Sequence, residues 1–223
     1  VSTVQTDFDR IALASPEGAN HNDLYHDFLL QYLPSNCGRT LDIGCGKGTF
    51  SRRLAEQSRS VLALDLSPEM IRLARSGSAS FANIDFQLAD VMSLDLPPGE
   101  FDCVASIATL HHLPLREALK KMKAALKPGG ILLILDLYKA SGLRDTLMNP
   151  VAIAVSVALR LIHHRRLLPP RDVRAAWKAH EQHDIYPTSA EVQSLCHDLL
   201  PSAQIKKHLL WRYSIIWQKP ALM

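Results

Sequence analysis

The sequence predicts an α/β fold: a doubly wound, seven-stranded sheet, mostly parallel, with helices on both faces and an antiparallel hairpin near its C-terminal end. Three observations predict it. Between Thr40 and Tyr138, short apolar runs alternate with helix-patterned segments. The runs are apolar on both faces, as in parallel strands covered by helices above and below. Two further β-like runs, Ile205–Leu210 and Tyr213–Trp217, have no helix between them and must pair as a hairpin or nearly so.

Thr40–Ile43 is the first strand and runs into a glycine cluster; Thr49 to Ser58 reads as helix, with Phe50, Leu54 and Ala55 at helical spacing. Val61–Leu64 is the second strand and ends at Asp65. Ser67 and Pro68 then give an N-cap and first helical position for a helix to about Arg75. Ile84–Leu88 and Phe101–Ser106 are the third and fourth strands, and Leu115–Leu126 is a helix stopped by Lys127-Pro128-Gly129-Gly130. Ile131–Leu137 is the fifth strand, apolar except for Asp136. Leu143 to Leu200 is mostly helical in pattern.

This reads as one domain. It comprises an N-terminal helical lead (1–38), a core (39–140), a helical insertion (141–202) and the hairpin (203–219). With 223 residues, 47% of them apolar and 21% charged, the chain can build a core and is not a disordered segment. A net charge of +3 is too small to imply nucleic acid. Cys37, Cys45, Cys103 and Cys196 form no CxxC pair and read as reduced thiols. The N-terminal residues carry acids and lack the apolar stretch of a signal peptide, so a cytoplasmic location is expected. The longest apolar run, Val151 to Ile162, would span roughly 18 Å as a helix, short of the ~30 Å hydrocarbon core. No transmembrane segment is expected.

The chemical signal is Leu41-Asp42-Ile43-Gly44-Cys45-Gly46-Lys47-Gly48-Thr49. Glycines at alternate positions let the backbone turn tightly from strand to helix and approach a ligand. The helix start that follows suits a carboxylate or phosphate. The spacing G-x-G-x-G is neither a Walker loop nor the usual G-x-G-x-x-G. Asp65, at the end of the second strand, can accept both hydroxyls of a ribose. Asp90, after the third, can accept from an adenine amino group. Together they describe a nucleoside site beyond the carboxyl ends of the strands.

With LDIGCGKG, LALDLSPEMIRLAR, FQLADVMSLDLP, FDCVASIATLHHL and LKPGGILLILD in this order, the chain resembles the class I S-adenosylmethionine-dependent methyltransferases over about residues 20 to 140, and again in RYSIIWQKP. The resemblance implies a Rossmann-like sheet, S-adenosyl-L-methionine as cofactor and S-adenosyl-L-homocysteine as product. It also implies a cofactor site. Asp42 would act through the loop and the methionine amino group, with Gly44, Cys45 and Gly46 lining the methionine part. Asp65 would grip the ribose, and Leu66 and Met70 would flank the adenine, with plain core of the second crossover helix as the lesser alternative. Asp90 and the backbone of Val91 would read the adenine edge, and the carbonyls near Ser106 and Ile107 would face the amino-acid tail. A residue of the N-terminal helix would close over the cofactor: Tyr25 is the candidate, ahead of Asn22 and His26. Cys45 reads as a small buried residue rather than a reactive thiol.

Transfer from a sulfonium is an in-line displacement, so alignment and exclusion of water carry most of the catalysis. When the acceptor atom holds a proton, a base must take it, and His111 and His112 after the fourth strand are the candidates; the alternative is that they only pack or cap. Asp136 is either a substrate-side acid or the solvated end of its strand. No metal is expected: His163 and His164 are adjacent, point about 100° apart on a helix, and have no acid at helical spacing.

Residues 142–223 hold 11 Lys and Arg against 6 Asp and Glu. Within the insertion, Arg160, Arg165, Arg166, Arg171, Arg174 and Lys178 face only Asp172. A solvated basic face is the default reading, with recognition of an anionic small molecule or attachment to a membrane surface as alternatives. In resembling enzymes such an insertion is a lid, and the apolar Val151–Ile162 helix would be one wall of the pocket or simply buried. The expected partner is a small-molecule methyl acceptor, anionic or apolar, methylated on oxygen, nitrogen or carbon; nucleic acid is disfavoured. The alternatives are a cofactor-binding subunit without turnover and a methyltransferase acting on RNA or protein. The absence of an Asn-Pro-Pro-Tyr-type tetrapeptide where Ile107-Ala108-Thr109-Leu110 stands argues against the kind of macromolecule methylation that uses it.

Overall fold

The computed structural model describes residues 3–14, 21–141, 143–164, 168, 170–180 and 184–221. Seven strands form one sheet: β1 (Cys37–Ile43), β2 (Ser58–Asp65), β3 (Ile84–Leu88), β4 (Phe101–Ile107), β5 (Leu126–Leu137), β6 (Gln204–His208) and β7 (Arg212–Gln218). Their order is β3-β2-β1-β4-β5-β7-β6. The first five are mutually parallel, and β7 pairs antiparallel with both β5 and β6. The order reverses between β1 and β4, and the crevice beyond their carboxyl ends is where open α/β sheets bind ligands.

Strand alternation divides the core between the two faces. Leu41, Ile43, Val104, Leu132 and Ile134 pack on one side with Leu119 and Met122 of α5 (Leu115–Ala125) and Val192 and Cys196 of α8 (Ser189–Leu199). Ala63, Cys103, Ala105, Leu133 and Leu135 face the other side. There they meet Leu29 and Leu30 of α2 (His26–Leu30), Phe50 and Leu54 of α3 (Thr49–Ala55), and Ile71 and Ala74 of α4 (Pro68–Ser76). All four cysteines are free and buried.

Two elements differ from the sequence expectation. The fifth strand begins at Leu126, not Ile131. The ladder shifts register between Phe101 and Cys103, and the Gly129 and Lys219 amides exchange hydrogen bonds with the Lys219 and Gly130 carbonyls at 2.9 and 2.8 Å. The Lys127–Gly130 segment therefore continues the sheet through a bulge, where Pro128 has no amide to lose. The second difference is α6 (Leu143–His164), which is not buried all round. Ile153, Leu161 and Ile162 are exposed, and among its described side chains only Asp145 and Ala152 are buried. Asp145 fixes the start of α6: it accepts from Lys207 of β6 at 3.1 Å and from the Ser141 amide at 3.0 Å. The His163–His164 pair ends α6, and Arg165 and Arg166 lie outside the described residues. No helix among the described residues is long and apolar enough to cross a membrane.

The helical lead contributes α1 (Thr3–Ala14), whose Ile11 and Ala12 pack against Met70 of α4 and Ala176 of α7 (Arg171–His180). Ser67 anchors this junction. Its hydroxyl oxygen caps α4 by accepting from the Met70 amide at 3.1 Å, and the same hydroxyl donates to Asp9 of α1 at 2.5 Å. Ser67→Ala should therefore cost about 0.5–2 kcal/mol in thermal unfolding, the usual worth of an N-cap. It should also speed amide exchange in α1 while α5 stays protected. An unchanged midpoint and unchanged exchange would contradict this assignment.

Candidate active site

β1 delivers the glycine loop, and each glycine is required for a different reason. Gly44, Gly46 and Gly48 have φ of +72°, +52° and +73°, a region that side-chain-bearing residues rarely adopt. A Cβ on Gly44 would lie 1.9 Å from the Thr109 hydroxyl oxygen, and one on Gly48 would lie 2.8 Å from the Phe86 ring. A Cβ on Gly46 would meet nothing within 4 Å, so this residue forms the open floor of the crevice. The Gly44 and Cys45 amides both donate to the Leu64 carbonyl, at 2.8 and 2.9 Å, which ties the loop to β2. Ala108, also left-handed at φ 51°, turns the chain so that Thr109 closes over Gly44.

Two carboxylates lie beneath this loop. Asp65 accepts from the Gly46 amide at 2.8 Å and from the Ser67 amide at 2.9 Å. Burial pushes its carboxyl above the ordinary value; the amides of Ser67, Gly46 and Leu66 pull it back, and Asp9 adds repulsion. Asp42 is fully buried and accepts from the Ser51 hydroxyl at 2.6 Å. Burial pushes it to about 7 against the pull of Ser51, and the charge of Asp65 pushes the same way. Two acids held together at the crevice are an electrostatic setting for a cationic ligand. Burial also raises the Cys45 thiol well above its ordinary value, so it is no thiolate at neutral pH.

The other expected cofactor residues are distributed around the crevice. Leu66 is half-buried, whereas Met70 is buried beneath α1. Asp90 is exposed and caps its own turn, accepting from the Met92 amide at 2.8 Å and the Ser93 hydroxyl at 3.0 Å. Val91 is buried below it. Ser106 is fully buried and donates to the Ile43 carbonyl at 2.9 Å, joining β4 to β1, and Ile107 beside it is half-buried. Tyr25 donates to the Leu209 carbonyl at 2.7 Å and stacks near His208, so it is anchored to the turn between β6 and β7. Asn22 accepts from Arg212 at 2.7 Å, and His26 is buried against Phe50. The lead segment that meets the β2 end of the crevice is α1, through Asp9, a contact with no signal in the local sequence.

On the side beyond β4, a short 3-10 turn, Leu110–His112, presents both histidines. Asp136 grips the first: it accepts from the His111 amide at 2.9 Å and lies 2.6 Å from His111 Nδ1. Asp136 is wholly buried and is therefore not the solvated end of its strand. His112 Nδ1 lies 3.3 Å from Asp184, and His180 Nε2 lies 3.6 Å from the same carboxylate. Tyr186 donates to Asp184 at 2.6 Å. Burial would raise Asp184, but hydrogen bonds from His112 and Tyr186 outweigh it and hold the carboxyl down to about 2. Burial likewise lowers His180, favouring its neutral form. Phe8 of α1 closes the cluster edge-on to His112 and His180. Asp184, His180 and Phe8 were not expected from the sequence, because each reaches the histidine turn only through tertiary packing.

The family described as a methyltransferase domain matches residues 40–130. An uncharacterized methyltransferase of Mycobacterium tuberculosis is 31% identical over 204 residues, 89% of this chain and 96% of the relative. A ubiquinone biosynthesis O-methyltransferase of Xanthomonas campestris pv. campestris is 30% identical over 196 residues, 78% of each chain. The N-methyltransferase NodS of Bradyrhizobium japonicum, solved with S-adenosyl-L-homocysteine, shares the fold with a TM-score of 0.64 at 15% identity, covering 98% of this chain and all of its own. The fold is that of a class I methyltransferase. The chain belongs to this S-adenosylmethionine-dependent family, and S-adenosylmethionine is its cofactor.

The contact at Gly44 gives a direct test. Gly44→Ala combines an unfavourable φ with a clash against Thr109. It should abolish measurable S-adenosyl-L-homocysteine binding by calorimetry, and Thr109→Ala in the same chain should recover part of it. Wild-type affinity in the single variant would show that the loop does not hold this shape.

Proposed function

We propose that the chain transfers the methyl group of S-adenosylmethionine to a small-molecule acceptor, which meets it between the β4 turn and the segments that roof it. The observation that carries this reading is the roof. Phe8, His180 and Asp184, from α1, α7 and the stretch after it, lie directly over His112, and the side chains of His112, His180 and Asp184 are each at least nine-tenths buried. A site closed in this way suits an acceptor small enough to be enclosed and unsuited to a polymer. It also excludes water, which an in-line displacement at a sulfonium requires. The O-methyltransferase of ubiquinone biosynthesis among the relatives supports a small molecule as acceptor and oxygen as one acceptor atom.

In this reading Asp65 receives the ribose hydroxyls on the lone pairs left by the Gly46 and Ser67 amides. Asp42, Gly44, Cys45 and Gly46 surround the methionine part, Leu66 and Met70 bound the adenine, and Asp90 with Val91 reads its edge. Ser106 and Ile107 supply carbonyls to the amino-acid tail, and Tyr25 steadies the hairpin side of the crevice. His111 and His112 are the catalytic pair, placed to act at the acceptor.

The test is a metabolite extract incubated with the chain and methyl-labelled S-adenosylmethionine. Label should enter a small-molecule fraction; label found only in protein or RNA would overturn the proposal. Asp65→Ala should weaken cofactor binding about tenfold or more, because each hydrogen bond to a charged group is worth roughly 1.5–3 kcal/mol. His111→Ala should instead lower kcat by about 10²–10⁴-fold with cofactor affinity kept. Unchanged affinity in the first variant, or unchanged kcat in the second, would remove that residue from its role.

A further inference from the structure

His111, His112, His180 and Asp184 each offer a ligand atom, and these four atoms lie within 4.8 Å of one another. Their side chains are 4%, 6%, 3% and 2% exposed. Three imidazoles and a carboxylate so placed satisfy one another only in part. His112 Nε2 and His180 Nδ1 are buried without a hydrogen-bond partner, a state that folded proteins seldom tolerate without a reason. The contacts to Asp184, at 3.3 and 3.6 Å, are long for hydrogen bonds between a carboxylate and an imidazole, which run about 2.7–2.9 Å when charged. They are close to the ~3.4 Å edge of a tetrahedron of ligands at 2.0–2.1 Å from a central ion.

The surroundings fit the same reading. Metal-binding histidines commonly give their second ring nitrogen to a carboxylate that fixes ring orientation. Asp136 does this for His111 at 2.6 Å, and Asp7 of α1 lies 3.7 Å from His180 Nδ1.

We propose that His111, His112, His180 and Asp184 bind one divalent transition-metal ion of the zinc class. Three imidazoles and one carboxylate are the donors that such ions prefer. The ion clamps the insertion, through His180 and Asp184, to the turn after β4, and so holds the roof over the acceptor. Its place beside the acceptor rests on the function proposed above; its binding does not. With the ion in place the two histidines of the turn act as ligands, and their effect on transfer passes through the ion and the closed roof.

The test uses the full chain without a histidine tag, stripped with chelator and dialysed against zinc or cobalt(II). Wild type should retain one equivalent of zinc by elemental analysis, and cobalt should give the visible absorption of a tetrahedral N/O site. His180→Ala and Asp184→Asn should lose both signals while still binding S-adenosyl-L-homocysteine, which shows that they are folded. Asp136→Asn should weaken zinc about 10–100-fold, the usual effect of removing a carboxylate behind a ligand. Wild type that retains no stoichiometric metal, or variants that retain as much as wild type, would overturn the proposal. Neither readout needs an acceptor or turnover, so failure of the methyl-transfer screen leaves this result standing, and a metal-free wild type leaves the screen standing.

Discussion

The carboxylate of Asp65, accepting the amides of Gly46 and Ser67, is the contact on which the crevice depends. It joins the last residue of β2 to the glycine loop on one side and to the cap of α4 on the other. Burying that carboxylate is costly, and the two amides compensate by hydrogen-bonding its charged form. Next to it Asp42 is buried and accepts from the Ser51 hydroxyl, and the charge of Asp65 raises the cost of ionising it. A sheet needing only stability would place apolar side chains at these strand ends. Acids at this cost, placed at the carboxyl ends of the strands, fit the proposed cofactor site, where function is served at the expense of stability.

The opposite side of the crevice is organised by a second carboxylate. Asp136 ends β5 in register with the end of β4, where Ile107 pairs with Leu135 and the Ala108 amide donates to the Leu135 carbonyl at 2.8 Å. That register brings Asp136 under the following turn, where it holds both the His111 amide and ring. The left-handed Ala108 serves both sides, since the same bend sets Thr109 against Gly44 and sends His111 toward Asp136. The glycine loop and the histidine turn are therefore coupled through a few residues at the β1–β4 reversal.

Much of this was legible in the sequence because it is local. Alternating apolar runs gave the parallel strands, Ser67-Pro68 gave the start of α4, and the spacing of the glycines with Asp42 and Asp65 gave the crevice. What was missed depends on pairing across the chain. The bulge that extends β5 through Pro128 is stabilised by Lys219, far along the sequence. The role of Asp136 depends on strand register. The contact of Asp9 with Ser67, and the meeting of His180 and Asp184 with His112, require the lead and the insertion to fold back over the sheet. Helix α6 carries apolar residues all round, so periodicity alone does not decide between a pocket wall and a buried helix; in the fold Ile153, Leu161 and Ile162 are exposed.

The central claim is that the paired acids beneath the glycine loop serve a cationic ligand, and proton linkage tests it most directly. Burial raises Asp42 to about 7, so a positive group that settles beside it favours loss of its proton. Calorimetry of S-adenosylmethionine binding in buffers of different ionisation enthalpy should show net proton release below about pH 7. Affinity should rise with pH through that window and level off above it, and Asp42→Asn should remove both effects. Binding that is pH-independent from 5 to 8 in wild type, with no proton released, would contradict the account.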